Sequence, residues 1–382
     1  MPVLNPPIVL LPDAALLPQW PVVACDQFTS QPEYWEGLRA QIGGAPSTLD
    51  LILPEAFLHN PGTLDAATES IAAAMARLRG VLQEVSGYVL VERTLSSTVR
   101  LGLLTALDLG AYDYSDHTTA PVRATERTVA ERLPARITIR QAGPLELSHV
   151  MVLIDDPSAQ VIENLYKRRD TFKLLYDVEL MADGGHLRGW LVPGSESVAV
   201  TEQLAGLERD GVLAIVGDGN HSLAAAKLCR DTSATVELVN IHSPAIEFEP
   251  IHRVVTGPKA ALDELVEQLA SMNGPAAVST WHAGVTAAVQ VAANPADAIA
   301  DLQNLVDDFA AARDGVAMDY VHGDTALLEV AEREAGLAIF MPTIAKESLF
   351  DYVARRGVLP RKAFSIGHAE DKRYYLELAE RR

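Results

Sequence analysis

The stretch "GVLAIVGDGNHSLAAAKLCR", residues 211–230, sets Asp218, Asn220, His221 and Ser222 beside Gly217 and Gly219, between an apolar run and an alanine-rich segment. The left side, 212–216, is short and rich in β-branched residues and reads as a buried strand. The right side, 222–229, has the alanine and leucine content of a helix. A strand, a glycine loop and a helix in that order suit an anion. Glycines let the backbone come close to a ligand, and the first helical N–H groups have no intrahelical partner. Phosphate is the usual guest. Plain turn chemistry is the competing reading, because Asp-Gly-Asn favours a tight turn and Asn220 or Ser222 can cap the helix. The spacing is neither that of the Walker loop nor that of the dinucleotide fingerprint.

Other residues extend this chemistry. Histidine serves as acid or base near neutral pH, and His221 sits where a phosphate or a hydroxyl nucleophile could be reached. Mg²⁺ usually needs only one or two carboxylates plus phosphate oxygens, which Asp218, or Asp155 and Asp156, could supply. In "EFEPIHRVV", His252 and Arg253 follow Glu247 and Glu249. An arginine fork there could hold a phosphate or carboxylate, while the alternating glutamates also read as a solvated strand face. "ATERTVAERLPAR" is expected to start a helix at Thr125, with Glu126 and Arg127 in its first turn. Capping and dipole effects alone would favour a glutamate there. "GVLPRKAFSIG" offers Arg361, Lys362 and Ser365 after a proline turn, as an anion-binding loop or an exposed basic one. His117, His149, His221, His242 and His252 lack the close paired spacing of a zinc motif. No serine lies in a nucleophile elbow, so a Ser-His-Asp hydrolase is unsupported.

The elements that must position these groups alternate along the chain. A helix is expected from Pro32, capped by Thr29 or Ser30, and another from about Leu64 to Val85. "GYVLVERTL" reads as a strand and "TVRLGLLTALDLGAYDY" as a strand pair with a glycine-punctuated turn. "LELSHVMVLIDDP" reads as a strand ending in acids, and "TVELVNIH" and "AIEFEPIHRVV" as further apolar runs. Helical spacing marks "KAALDELVEQLASM" and "ADAIADLQNLVDDFAAA", and strand-like pieces return in "VAMDYVHG", "GLAIFMP" and "KRYYLELAE". Apolar runs separated by helices predict an α/β protein, a mixed sheet with flanking helices. Residues 1–257 are expected to form an N-terminal and core α/β region carrying the loop, and 258–382 a C-terminal α/β region packed on it.

Bulk properties narrow the partners. The chain has 382 residues, enough for two domains, with 48% hydrophobic residues, 25 Gly and 22 Pro, as in ordinary globular enzymes. Lys plus Arg number 31 against 51 Asp plus Glu, a net charge of −20. Such a surface repels polyanions, which argues against nucleic acid and anionic membranes as partners. Two cysteines, Cys25 and Cys229, are too few for a disulfide framework and fit a reducing cytosol. The apolar start is cut repeatedly by proline and lacks the charged beginning of a signal peptide, so a cytoplasmic location is expected. Homodimerisation stays open at this level.

"VGDGNHSLAAAK", together with "IHRVV" and "LPRKAFSIG", resembles the bacterial and archaeal family labelled domain of unknown function 1015. "ACDQFTSQPEYW" and "VRATERTVAERLPARITIRQA" are similar to its N-terminal half. The resemblance implies a phosphate-loop core like that of ParB and sulfiredoxin-like proteins, which include free serine kinases. It also implies a kinase making O-phosphoserine from L-serine with ATP or pyrophosphate and Mg²⁺. Asp218, Gly219 and His221 would take the Asp, Gly and second His of an Asp-Gly-His-His-Arg signature, with Asp218 holding the metal. Glu126 would take the Glu of an upstream His-Glu pair. Asn220 stands for the first His, Ser222 for the Arg, and Thr125 for the upstream His. Lys227, Arg253 or Lys362 would then have to supply the missing charge, with His252 beside Arg253 as a further phosphate contact. A binding-only sensor and a phosphatase are the alternatives on the same loop.

Overall fold

A computed structural model describes residues 2–24, 28, 31–57, 62–95, 98–147, 149–367 and 372–382. The chain forms two compact units. One comprises 1–246, 352–357 and 367–382, the other 247–351 and 358–366. The dividing line thus falls after Ile246, where the sequence suggested 257/258, and the tail returns to the first unit. Strand pairing explains the return: Tyr374–Tyr375 pair with Val22–Val23, and Leu378–Glu380 pair with Leu145–Leu147.

The first unit is built on a ten-stranded mixed sheet. Its order is Lys173–Glu179, His186–Leu191, Val89–Thr94, Val99–Asp108, Ser233–Asn240, Val150–Ile154, Ala214–Asp218, Val122–Ala124 and Tyr112–Asp113, with Leu4–Asn5 beside Val99–Asp108. Most neighbours are antiparallel. The parallel pairs are Val150–Ile154 with Ser233–Asn240, and Val122–Ala124 with both Ala214–Asp218 and Tyr112–Asp113. Both faces are covered, which is why the strands read as continuous apolar runs. Val89 and Val91 enter one core with Trp20, Trp35 and Ile71, while Leu90, between them, enters another with Val152, Val216 and Leu223. The period-2 alternation of side chains divides one strand between two cores.

Several local expectations are corrected. The helix drawn from Leu64 to Val85 spans Thr63–Leu78, and Leu82–Ser86 is a strand paired with Ile8–Pro12. The strand pair expected in 98–114 forms as Val99–Asp108 and Tyr112–Asp113, with the turn Leu109–Ala111 at Gly110, but the two strands pair with other neighbours and not with each other. Gly102, inside the first of these strands, makes space, since a Cβ there would lie 2.2 Å from Glu237 Oε1. The helix from Pro32 is present, Pro32–Ile42, but its Thr29 or Ser30 cap and Cys25 lie outside the described residues. No helix is placed at Thr125. A 3₁₀ turn at Ala130–Arg132 leads into the helix Leu133–Gln141.

The second unit carries a six-stranded sheet in the order Val285–Val291, Ala276–His282, Leu337–Ile339, Phe248–Thr256 and Ala317–His322, with Phe364–Ile366 on the first residues of Phe248–Thr256. The helices Lys259–Ala270 and Pro295–Ala311 arise where helical spacing predicts them. Asn294 caps the second by accepting the N–H groups of Ala296 and Asp297. Leu327 and Ala331 of the helix Asp324–Arg333 pack on Val254 and Ala338. Among the described residues no helix is long and apolar enough to cross a membrane.

Candidate functional site

The strand Ala214–Asp218 ends on its two half-buried residues, Gly217 and Asp218, and the helix Asn220–Leu228 begins two residues later. Gly219 makes this turn at φ 90° and ψ 23°, left-handed backbone that costs other L-residues about 1–2 kcal/mol. Space forbids a side chain as well. A Cβ on Gly219 would stand 3.1 Å from Val150 Cγ2 and 3.3 Å from Val150 Cα. Asp218 Oδ1 accepts the Gly219 N–H at 2.9 Å, stiffening the turn. Leu223, Ala224, Ala225 and Ala226 anchor the helix by burial. Asn220 Oδ1 is buried without a hydrogen-bond partner among the described residues.

Sheet register brings Glu126 to this edge. Val122–Ala124 runs parallel to Ala214–Asp218, with Ala124 opposite Val216. Glu126 follows two residues past the end of Val122–Ala124, and Asp218 two residues past Val216. Thr125, fully buried, donates to the Val216 carbonyl at 2.7 Å and holds the two chains together beyond the last pair. The following segment is tied to the loop by His221, whose Nε2 accepts the Val129 N–H at 3.0 Å. That nitrogen is an acceptor already in use.

On the other side of Asp218 the neighbour is Met151, so His149 stands just before the strand that flanks the loop. His149 Nδ1 bonds the Leu147 carbonyl at 2.9 Å, and the ring stacks on Tyr375 with centroids 4.7 Å apart. Burial pulls the imidazole down to about 4. The Leu147 carbonyl opposes this, Arg140 and Arg373 add to it, and the Asp218 charge acts against it. The sequence offered His149 only as one of five scattered histidines. Its place beside Asp218 comes from antiparallel pairing between segments far apart in the chain, for which no local signal exists.

The remaining candidates have partners of their own. Lys227 lies seven residues along the helix from Asn220, about 10 Å at the usual helical rise. Its Nζ donates to the carbonyls of Leu109, at 3.0 Å, and Tyr112. His252, Arg253 and Lys362 belong to the second unit. Arg253 is 1% exposed; it donates to Gln303 Oε1 at 2.7 Å and to the Lys362 carbonyl at 3.0 Å, with its guanidinium over Tyr320. His252 Nδ1 accepts the Met341 N–H at 3.0 Å and Nε2 pairs with Asp324 Oδ1 at 2.8 Å. Ser365 is buried in strand pairing with Glu249, and Arg361 lies over Tyr320. Arg253 thus organises its own unit.

Asp155 pairs with His242 at 2.7 Å, while buried Asp156 accepts the N–H groups of Gln160 and Val161. These lie past the other end of Val150–Ile154 from the glycine loop. Among the described residues no group of three or more His, Cys, Asp or Glu side chains is placed to hold a metal ion. A cation at the loop would therefore draw on Asp218 and on oxygens brought by a ligand, a combination that suits Mg²⁺ bound to phosphates.

No curated protein matches the sequence. Among solved structures the chain is similar to a free serine kinase variant in complex with AMP, at 10% identity over 71% of this chain and 90% of that one, with a TM-score of 0.43. It is also similar to C-terminally truncated SbnI from Staphylococcus aureus, at 9% identity over 69% and 82%, TM-score 0.40. A conserved hypothetical protein from Pyrococcus furiosus aligns at 10% identity over 67% and 92%, TM-score 0.36. The family described as Protein of unknown function (DUF1015) matches residues 10–338, and the chain belongs to that family.

Proposed function

We propose that the first unit is a cytosolic phosphotransferase that moves a phosphoryl group from ATP or pyrophosphate to the hydroxyl of a small metabolite, with free L-serine the leading acceptor. The observation that carries this reading is Gly219, left-handed, closed to a side chain by Val150, and set directly before the first N–H groups of a nine-residue helix. That arrangement favours a phosphate through the first backbone N–H groups of the helix and the positive end of its dipole. Phosphoryl transfer asks mainly for positioning and charge stabilisation.

In this reading the donor's terminal phosphate rests on 217–222. The bond from phosphorus to the leaving ADP or phosphate breaks as the acceptor oxygen bonds to phosphorus, and the hydroxyl proton passes to a carboxylate. Glu126 is assigned that base, because His221 Nε2 already accepts the Val129 N–H. Asp218 would hold Mg²⁺, which supplies charge neutralisation when bound with the donor. A binding-only role is the second reading. The committed His221 nitrogen and the serine at position 222, which offers no guanidinium, favour it.

³¹P NMR of the full chain with Mg²⁺ and L-serine, with ATP, ADP or pyrophosphate in separate samples, tests the proposal. A new phosphomonoester resonance matching O-phosphoserine is expected. Donor binding with unchanged spectra in all three samples would establish the binding-only reading instead.

A further inference from the structure

We propose that His149 reads the acceptor substrate at the glycine loop, its Nε2 accepting a hydrogen bond from a hydroxyl or ammonium group of a small amino alcohol or hydroxy amino acid. The inference rests on the phosphotransfer reading above and names the residue that would separate acceptor from donor. His149 precedes the strand in which Met151 faces Asp218, and Val150 closes over Gly219. A carbonyl oxygen can only accept, so the bond to Leu147 places the ring proton on Nδ1 and leaves the lone pair on Nε2. Stacking on Tyr375, with ring planes 9° apart, fixes the direction of that lone pair. The half-buried ring makes no other hydrogen bond among the described residues.

The charged groups acting on it are Arg140 and Arg373 on one side of the balance and Asp218 on the other. With burial they keep the imidazole neutral well below physiological pH. A neutral acceptor repels phosphate oxygens, which carry lone pairs of their own, and attracts N–H or O–H donors. Asp218 beside it favours a positively charged ammonium further. The loop would thus have an end for the anionic donor and, at His149, an end for the acceptor.

The test uses full-length protein labelled with ¹⁵N-histidine, its His149 signals assigned by their loss in His149→Phe, a variant that keeps a ring to stack on Tyr375. L-serine is expected to shift the His149 Nε2 resonance saturably, and inorganic phosphate to leave it in place. His149→Phe should raise KM for L-serine about tenfold while donor KM changes less than about twofold, the size expected for one lost hydrogen bond. A Nε2 shift caused by phosphate and not by L-serine would overturn the proposal, as would an unaltered L-serine KM in a folded, active variant. If L-serine moves Nε2 but no phosphoryl transfer occurs, His149 stands and the kinase reading falls. If transfer occurs with wild-type L-serine KM in His149→Phe, the kinase reading stands and His149 falls.

Discussion

His221 Nε2 accepts the backbone N–H of Val129 at 3.0 Å, joining the start of the helix Asn220–Leu228 to the segment that follows Glu126. The histidine of the glycine loop is thereby a tether. It fixes the neighbouring chain against the loop, and the carboxylate of Glu126 travels with that chain.

A tether and a base respond differently to mutation. His221→Ala is expected to lower kcat by about 10- to 100-fold through misplacement of 125–129. His221→Asn, which restores an acceptor, should recover part of the rate. Glu126→Gln, which removes the base itself, should lower kcat by about 10²- to 10⁴-fold with no such recovery. Steady-state kinetics of these three variants check the assignment.

Gly219→Ala places a methyl group against the Val150 backbone at positive φ. Stability should fall by about 1–3 kcal/mol, read as a lower urea midpoint, and pyrophosphate affinity should fall with it. The same substitution at Gly194, which has nothing within 4 Å of its would-be Cβ and is not at positive φ, should leave both close to wild type.

Ser222→Arg introduces the arginine of the Asp-Gly-His-His-Arg signature that the loop resembles. A guanidinium at the loop adds charge-assisted hydrogen bonds worth about 1.5–3 kcal/mol each, so pyrophosphate should bind about tenfold tighter or better by calorimetry.

Acid should weaken the first unit through His149. Its folded value is about 4 against 6.5 for an ordinary histidine, so the native state prefers the neutral ring. The contribution is complete above pH 6.5 and is lost as pH falls towards 4, at most on the order of 2 kcal/mol for a half-buried ring. Urea unfolding across that window should show the loss, and His149→Phe should flatten it.

Behind the loop, a fully buried ion network ties the C-terminal strands to the large sheet. Arg373 Nη2 meets Glu377 at 3.0 Å and Arg373 Nε meets Glu237 at 2.5 Å, with Arg100 3.9 Å from Glu237. Arg373→Met strands buried carboxylates and should cost about 3–5 kcal/mol by urea denaturation.

The sequence made the glycine loop legible because its signals are local. Residues 212–216 are rich in β-branched side chains, Gly219 permits the left-handed turn, and the alanines favour the helix. Strand Val89–Thr94 and helices Lys259–Ala270 and Pro295–Ala311 were readable for the same reason. What lay beyond reach depends on contacts between distant segments. Gly102 carries no local sign that Glu237 on the adjoining strand needs its space. Thr125 looks like a helix start until its hydroxyl is found on the Val216 carbonyl. Arg253 looks like a phosphate fork until Gln303 and the Lys362 carbonyl take up its donors.

The central claim is that phosphate rests on the backbone of this loop. Glycine-selective ¹⁵N labelling of the full chain, followed by titration with pyrophosphate and Mg²⁺, tests it most directly. Saturable shifts of the Gly217 and Gly219 amide resonances, weakened in Gly219→Ala at Gly217, are the result expected. Saturable binding that leaves both resonances unmoved while other glycines shift would contradict the account.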